Sequence, residues 1–184
     1  HRVELDCAEK ICAKLKIPQK IVSMDFLAEL NSNALTDRNV DVKVDGGLHN
    51  LPSTFVPGRN ILFLNLAAAF AVPRGIHDIV IGVCQTDYSG YPDCREPFVA
   101  SMEETLQLGL EDAKLKIHRP LMNLSKGEIF KLAQETGGLE VVVNESHTCY
   151  EGNRSEKFDW GFGCGKCPAC ELRKKGWEDY RKGT

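Results

Sequence analysis

Asp78-Ile79-Val80-Ile81-Gly82-Val83-Cys84 is the stretch on which the fold turns. Four of its seven residues are β-branched and none of it alternates with polar residues, the pattern of a strand covered on both faces. Just upstream, Asn60–Val72 (NILFLNLAAAFAV) is apolar almost all round, which predicts a buried helix. Downstream, Glu96–Leu110 reads as a helix and Leu115–His118 as the next strand. Strand and helix thus alternate about this core, and the expected fold class is α/β with a doubly wound sheet.

Farther out the pattern continues. Residues 2–16 carry Leu5, Ala8, Ile11, Cys12 and Leu15 at helical spacing, and Pro18 ends that helix. Lys20–Met24 (KIVSM) reads as a short strand, and residues 31–54, rich in Asn, Asp, Gly and Pro, as a long functional or mobile loop. Ser125 and Glu128 form a capping box for a helix that stops at Gly137-Gly138. Residues 149–170 are of another kind: Gly-rich, Cys-rich and too poor in aliphatic residues to pack alone.

Bulk properties narrow the function. A chain of 184 residues is long enough for a real core. Hydrophobic and charged contents of 42% and 27% are those of a soluble globular protein. The net charge of −3 predicts no stable nucleic-acid partner, and no apolar run is long enough for a membrane span. Residues 1–20 have no apolar h-region, so no secretory signal is expected and the cytoplasm is the expected compartment. The chain opens on His1 rather than Met, which suggests processing or truncation.

Without a secretory context, eight cysteines point to metal rather than disulfides. Cys149, Cys164, Cys167 and Cys170 have the spacing C-x14-C-x2-C-x2-C. A C-x2-C turn brings two thiolates to one ion, and Gly163 and Gly165 supply the permissive backbone. Four thiolates complete a tetrahedron with no open position, so the expectation is one structural zinc per chain. An iron–sulfur cluster or free thiols are the alternatives. Lys166, Arg173, Lys174 and Lys175 either offset the charge of a four-thiolate centre or form an exposed helix face.

Two loops look chemical. Phe55-Val56-Pro57-Gly58-Arg59-Asn60 leads into the apolar helix, whose N-terminal N–H groups suit an anion; Arg59 either helps hold it or points to solvent. Asp87-Tyr88-Ser89-Gly90-Tyr91-Pro92-Asp93-Cys94-Arg95 follows the strand 78–84, where ligands bind in open α/β sheets. Its carboxylates can accept paired hydrogen bonds from a guanine-like edge; an ordinary surface loop would have a similar composition. His147, beside Cys149, is expected to pack rather than ligate.

Together, TFVPGRNILFL at 54–64, GVCQTDYSGYPDCR at 82–95, Pro120-Leu121, ESHTCY at 145–150, CGKCPACELR at 164–173 and the opening His1-Arg2 resemble the 7-cyano-7-deazaguanine synthase family of the queuosine pathway. The resemblance runs the length of the chain. It implies a Rossmann-like, mainly parallel sheet of the adenine nucleotide alpha-hydrolase type. It also implies an enzyme that converts 7-carboxy-7-deazaguanine and ammonia to the nitrile with ATP, accompanied by Mg, through an adenylated carboxylate and an amide. Carried onto this chain, Arg59 is expected near phosphate, and Asp87, Tyr91, Asp93 and Arg95 around the deazapurine. No residue is assigned a catalytic role.

The family's SGGxDS loop is absent from the 184 residues, and the expectation places that strand, loop and helix upstream of His1. The expected division is a nucleotide and substrate domain over 1–145 and a zinc segment with the C-terminal helix over 146–184. A homodimer is expected, with Trp177 and Tyr180 available for an interface. The other reading is a related ATP-pyrophosphatase (PP-loop enzyme) such as a tRNA thiolation enzyme, with Cys94 as the reactive thiol.

Overall fold

A computed structural model of the chain describes residues 2–24, 26, 51–85 and 90–183. These form two compact units, residues 45–124 and residues 1–44 with 125–184.

In the unit 45–124, helix α2 (Arg59–Ala71) leads through a 3-10 turn (Val72–Arg74) to strand β1 (Asp78–Val80). Helix α3 (Glu96–Gly109) then crosses over to strand β2 (Lys116–His118). The two strands pair in parallel, with Ile79 opposite Ile117. Parallel neighbours need such a crossover, because a tight turn can only reverse the chain. The ladder runs past the strand ends, with Ile81 N–H donating to His118 O at 2.9 Å and Gln85 N–H to Met122 O at 3.0 Å. Leu64, Ala68, Ile79, Val99, Met102, Leu106, Leu115, Ile117 and Met122 form the core.

The core is thinner than the sequence suggests. Ile79 is buried but its neighbour Val80 is 69% exposed, so β1 is covered on one face. Helix α2 likewise buries only the stripe Asn60, Leu64, Ala68 and Ala71, leaving Ile61, Phe63, Leu66 and Phe70 open. Apolar character all round does not itself supply a second packing partner, and none lies over these faces among the described residues.

In the other unit, α1 (Arg2–Leu15) forms as expected, but Leu5 and Leu15 are exposed and Cys7 is the buried residue. Residues 17–24 hold no strand: Ile21 and Val22 are exposed, and a strand needs a ladder partner that this segment lacks among the described residues. Of the long loop 31–54, residues 31–50 lie outside the described residues.

Helix α4 (Lys126–Glu135) starts with the predicted capping box: Glu128 N–H donates to Ser125 Oγ at 3.3 Å, and Ser125 N–H to Glu128 Oε2 at 2.7 Å. Gly137, at φ 73°, turns the chain out of it. A short helix α5 (Leu139–Asn144), a hairpin of β3 (Lys157–Phe158) and β4 (Gly161–Phe162), and helix α6 (Pro168–Lys182) complete the unit.

Helices α4 and α6 lie against each other with glycine at the contact. A Cβ on Gly176 would stand 2.3 Å from Lys126 Cβ. Phe130 meets Trp177 edge-on at 5.2 Å, and Tyr180 OH donates to Gln134 at 2.8 Å. The α/β character is therefore present. Among the described residues the strands make two two-stranded sheets, one parallel and one antiparallel. No helix among the described residues is long and apolar enough to cross a membrane.

Candidate functional site

The four cysteines come together. Cys149 follows α5, Cys164 follows the β3–β4 hairpin, Cys167 caps α6 and Cys170 lies in its first turn. Their sulfurs all lie within 4.8 Å of one another, with Cys164 to Cys170 and Cys149 to Cys167 each at 4.0 Å. Metal–sulfur bonds of about 2.3 Å in a tetrahedron place sulfurs about 3.8 Å apart, so the spacing fits a single ion. A multi-iron cluster would hold its cysteines farther apart.

The surroundings are built for that approach. A Cβ at Gly163 would stand 2.5 Å from Cys170 Sγ, so only glycine lets the hairpin pass. Gly165, at φ 73°, lies against the Phe158 ring, which stacks on Trp160 with centroids 4.6 Å apart. Backbone N–H groups point at sulfur: Cys164 N–H at Cys149 Sγ, 3.4 Å, and Cys167 N–H at Cys164 Sγ, 3.3 Å.

Burial pushes the Cys167 and Cys170 thiols up. At Cys164 burial pulls the same way, but N–H donors from Lys166 and Cys167 outweigh it and bring the thiol down to about 7. Four sulfurs gathered in so little space are costly without a cation, and a bound cation reverses the preference for the thiol form.

His147 stays out of this group. Its Nε2 lies 3.1 Å from Cys149 O, its Nδ1 is buried without a partner among the described residues, and burial lowers its pKa. Of the four basic residues near the cluster, Lys166, Lys174 and Lys175 are exposed. Arg173 is buried, and burial lowers its pKa to about 10, against the pull of Cys170.

In the other unit, the two chemical loops meet. Asn60 Nδ2 donates to Asp93 O at 2.9 Å and points at Cys94 Sγ at 3.6 Å. Thr54 and Tyr91 hydrogen-bond through their hydroxyls, and the Tyr91 ring stacks on Phe55 at 5.8 Å. Thr54 and Asn60 are buried joints whose role the sequence pattern does not mark. A buried polar residue opening an apolar helix was the available signal.

Asp93, in the 3-10 turn Pro92–Cys94, is only 7% exposed and its Oδ2 has no partner among the described residues. Burial raises its pKa, while the Asn60 contact and the Arg59 charge pull it back. Arg59 is the first residue of α2, after Gly58 at φ 78°, and no side chain caps that helix end. Arg95 is exposed and donates to Gly90 O at 3.2 Å, so it lies at the rim. Asp87 lies outside the described residues. The structure thus brings Arg59, Tyr91 and Asp93 into one neighbourhood, with Thr54 bonded to Tyr91 and Asn60 to the Asp93 backbone.

The family model described as queuosine biosynthesis protein QueC matches residues 1–181. A 7-cyano-7-deazaguanine synthase of Helicobacter pylori (strain P12) is 45% identical over 183 residues, 98% of this chain and 80% of that protein. Its namesake in Wolinella succinogenes is 44% identical over 98% of this chain and 78% of its own length. That of Nitratidesulfovibrio vulgaris (strain DP4) is 43% identical over the whole chain and 79% of its own length.

Proposed function

The chain belongs to the queuosine biosynthesis protein QueC family, and we propose that it acts as a 7-cyano-7-deazaguanine synthase. It is an ATP-dependent enzyme converting 7-carboxy-7-deazaguanine and ammonia to the nitrile. The observation that carries the site assignment is Asp93: a buried carboxylate with an unpartnered oxygen, at the junction of the two loops.

Such a carboxylate suits the adjacent N–H donors of a deazaguanine edge, which would supply the hydrogen bonds the protein leaves unmade. Tyr91, stacked on Phe55, offers an aromatic surface beside it. Arg59 and the uncapped start of α2 suit phosphate, and Arg95 at the rim suits the substrate carboxylate. Asp87, on the same loop in sequence, is proposed as a further substrate ligand. Adenylation makes sense of ATP, because a carboxylate or amide oxygen leaves readily only once it is bonded to phosphate. The protein's part is positioning and stabilising charge on phosphate, with Mg as the accompanying cation.

The four cysteines are proposed to hold zinc, supported by sulfurs within 4.8 Å of one another. When bound, zinc supplies a saturated tetrahedral cross-link and no open position for substrate. The division into a Rossmann-like, doubly wound nucleotide and substrate domain (1–145) and a zinc segment (146–184) is proposed on the same resemblance. Action in the cytoplasm, the lack of a stable nucleic-acid partner and a homodimer are proposed as well. Trp177 and Tyr180 pack on Phe130 of their own unit, so the open side chains along α2 are the better support for an interface.

The tRNA-thiolation reading loses ground, since Cys94 is half-buried with Asn60 and Asp93 against its sulfur. The full-length protein, given ATP, ammonium and 7-carboxy-7-deazaguanine, is expected to release AMP and the nitrile by mass spectrometry. AMP without nitrile, or neither, refutes the assignment.

A further inference from the structure

Helix α6 buries a cation. Arg173 is 6% exposed. Its Nε donates to Trp160 O at 2.8 Å, Nη1 to Ser146 Oγ at 2.9 Å and Nη2 to Val142 O at 2.6 Å. All three acceptors are neutral, and no acidic side chain among the described residues pairs with it. Arg154 comes to the same turn, with Nη1 on Cys7 Sγ at 3.1 Å and Ser146 O at 3.2 Å and Nη2 on Asn144 O at 2.7 Å, again with no carboxylate partner among the described residues.

Two guanidiniums sharing Ser146 repel each other, and a buried charge lacking a counter-ion is costly. Carbonyls and the Ser146 hydroxyl satisfy the Arg173 donors, and the Phe130 and Phe162 rings lie 5.9 Å from Arg173 and 4.4 Å from Arg154, but none of these groups carries a full negative charge. Among the described residues, the group that favours the Arg173 charge is Cys170 of the cysteine centre. Cys170 and Arg173 are three apart on α6 and so share a face. The hairpin repeats that adjacency: a Cβ on Gly163 would meet Cys170 Sγ at 2.5 Å, and one on Gly161 would meet Arg173 Nη2 at 2.9 Å.

We infer that Arg173, seconded by Arg154, is the built-in counter-ion of a four-thiolate metal centre. A divalent ion with four thiolates carries a net charge of −2, and the two guanidiniums bring +2. Arg173 is therefore a positioning residue of the centre, acting through charge: it favours all four cysteines bound as thiolates and holds the ion tighter. This rests on the reading of the four cysteines as a metal site.

The test measures zinc affinity by competition with a chromogenic chelator in the parent protein, Arg173→Lys and Arg173→Gln, with circular dichroism to verify folding. Lysine keeps the charge and loses the guanidinium fork; glutamine keeps donors and loses the charge. Glutamine is expected to weaken zinc binding at least tenfold, and lysine by clearly less. Equal weakening in both, stronger weakening in the lysine variant, or no change in either overturns the inference and marks Arg173 as a hydrogen-bond clamp or a bystander. If Arg173→Gln does not fold, Arg154→Gln carries the test: several-fold weaker zinc supports the inference, and unchanged affinity overturns it. A parent protein that binds no zinc refutes the metal-site reading itself, and the inference with it.

Discussion

Asp93→Asn separates what the site costs the fold from what it does for the substrate. Asp93 is buried with Oδ2 unpartnered, and burial is the largest influence on its raised pKa. A raised folded pKa means the folded chain holds the proton more tightly than the unfolded chain. The penalty is therefore absent below the ordinary value of 3.8 and grows as pH rises through the folded value. It is larger at pH 7 than at pH 4.

The amide leaves that position polar but removes the buried charge. Each pH unit by which a pKa is raised is worth about 1.4 kcal/mol, and the amide forgoes the Arg59 attraction, so it should stabilise the unliganded protein by about 1 kcal/mol. For a chain of this size that is a rise in Tm of about 2–4 °C. Urea unfolding at pH 7 should show a higher midpoint for the variant, with the gap narrowing as pH falls towards 4.

On the proposed assignment, the same change puts a donor where an acceptor would face the substrate N–H groups. Losing hydrogen bonds to a charged group costs about 1.5–3 kcal/mol, roughly a 10- to 100-fold fall in kcat/KM for the carboxy-deazaguanine. A variant less stable than its parent at pH 7, by the same margin at pH 5, would refute the reasoning, because the carboxylate would then already be paired.

Gly176→Ala should destabilise the protein, although alanine is the better helix former by about 1 kcal/mol. Its methyl would stand 2.3 Å from Lys126 Cβ, and overpacking costs about 1–3 kcal/mol; a raised urea midpoint would contradict the close α4–α6 contact. Cys164→Ser should lose zinc on dialysis and open the chain beyond residue 149 to trypsin, with activity falling indirectly. Full zinc content together with full protease resistance would show that the centre does not clamp the C-terminal helix.

Local chemistry was legible in the sequence. The capping box at Ser125 and Glu128, the exit at Gly137 and the spacing of the four cysteines each depend on residues close along the chain, where residue type and spacing nearly determine geometry. Burial was less legible. Lys20–Met24 has strand-forming residues but no ladder partner among the described residues, and β1 and α2 are apolar all round yet packed on one side.

What the sequence by itself determined is the family, the α/β alternation and which four cysteines come together. Only the tertiary structure decided which member of each suggestive set is buried. Among four basic residues near the cluster it put Arg173 inside and three lysines outside, and within the second loop it buried Asp93 and left Arg95 at the rim. The physical reason is that burial of a charge is not a property of its residue type. It depends on what distant segments bring: Trp160 and Val142 to Arg173, and Asn60 to the turn that holds Asp93.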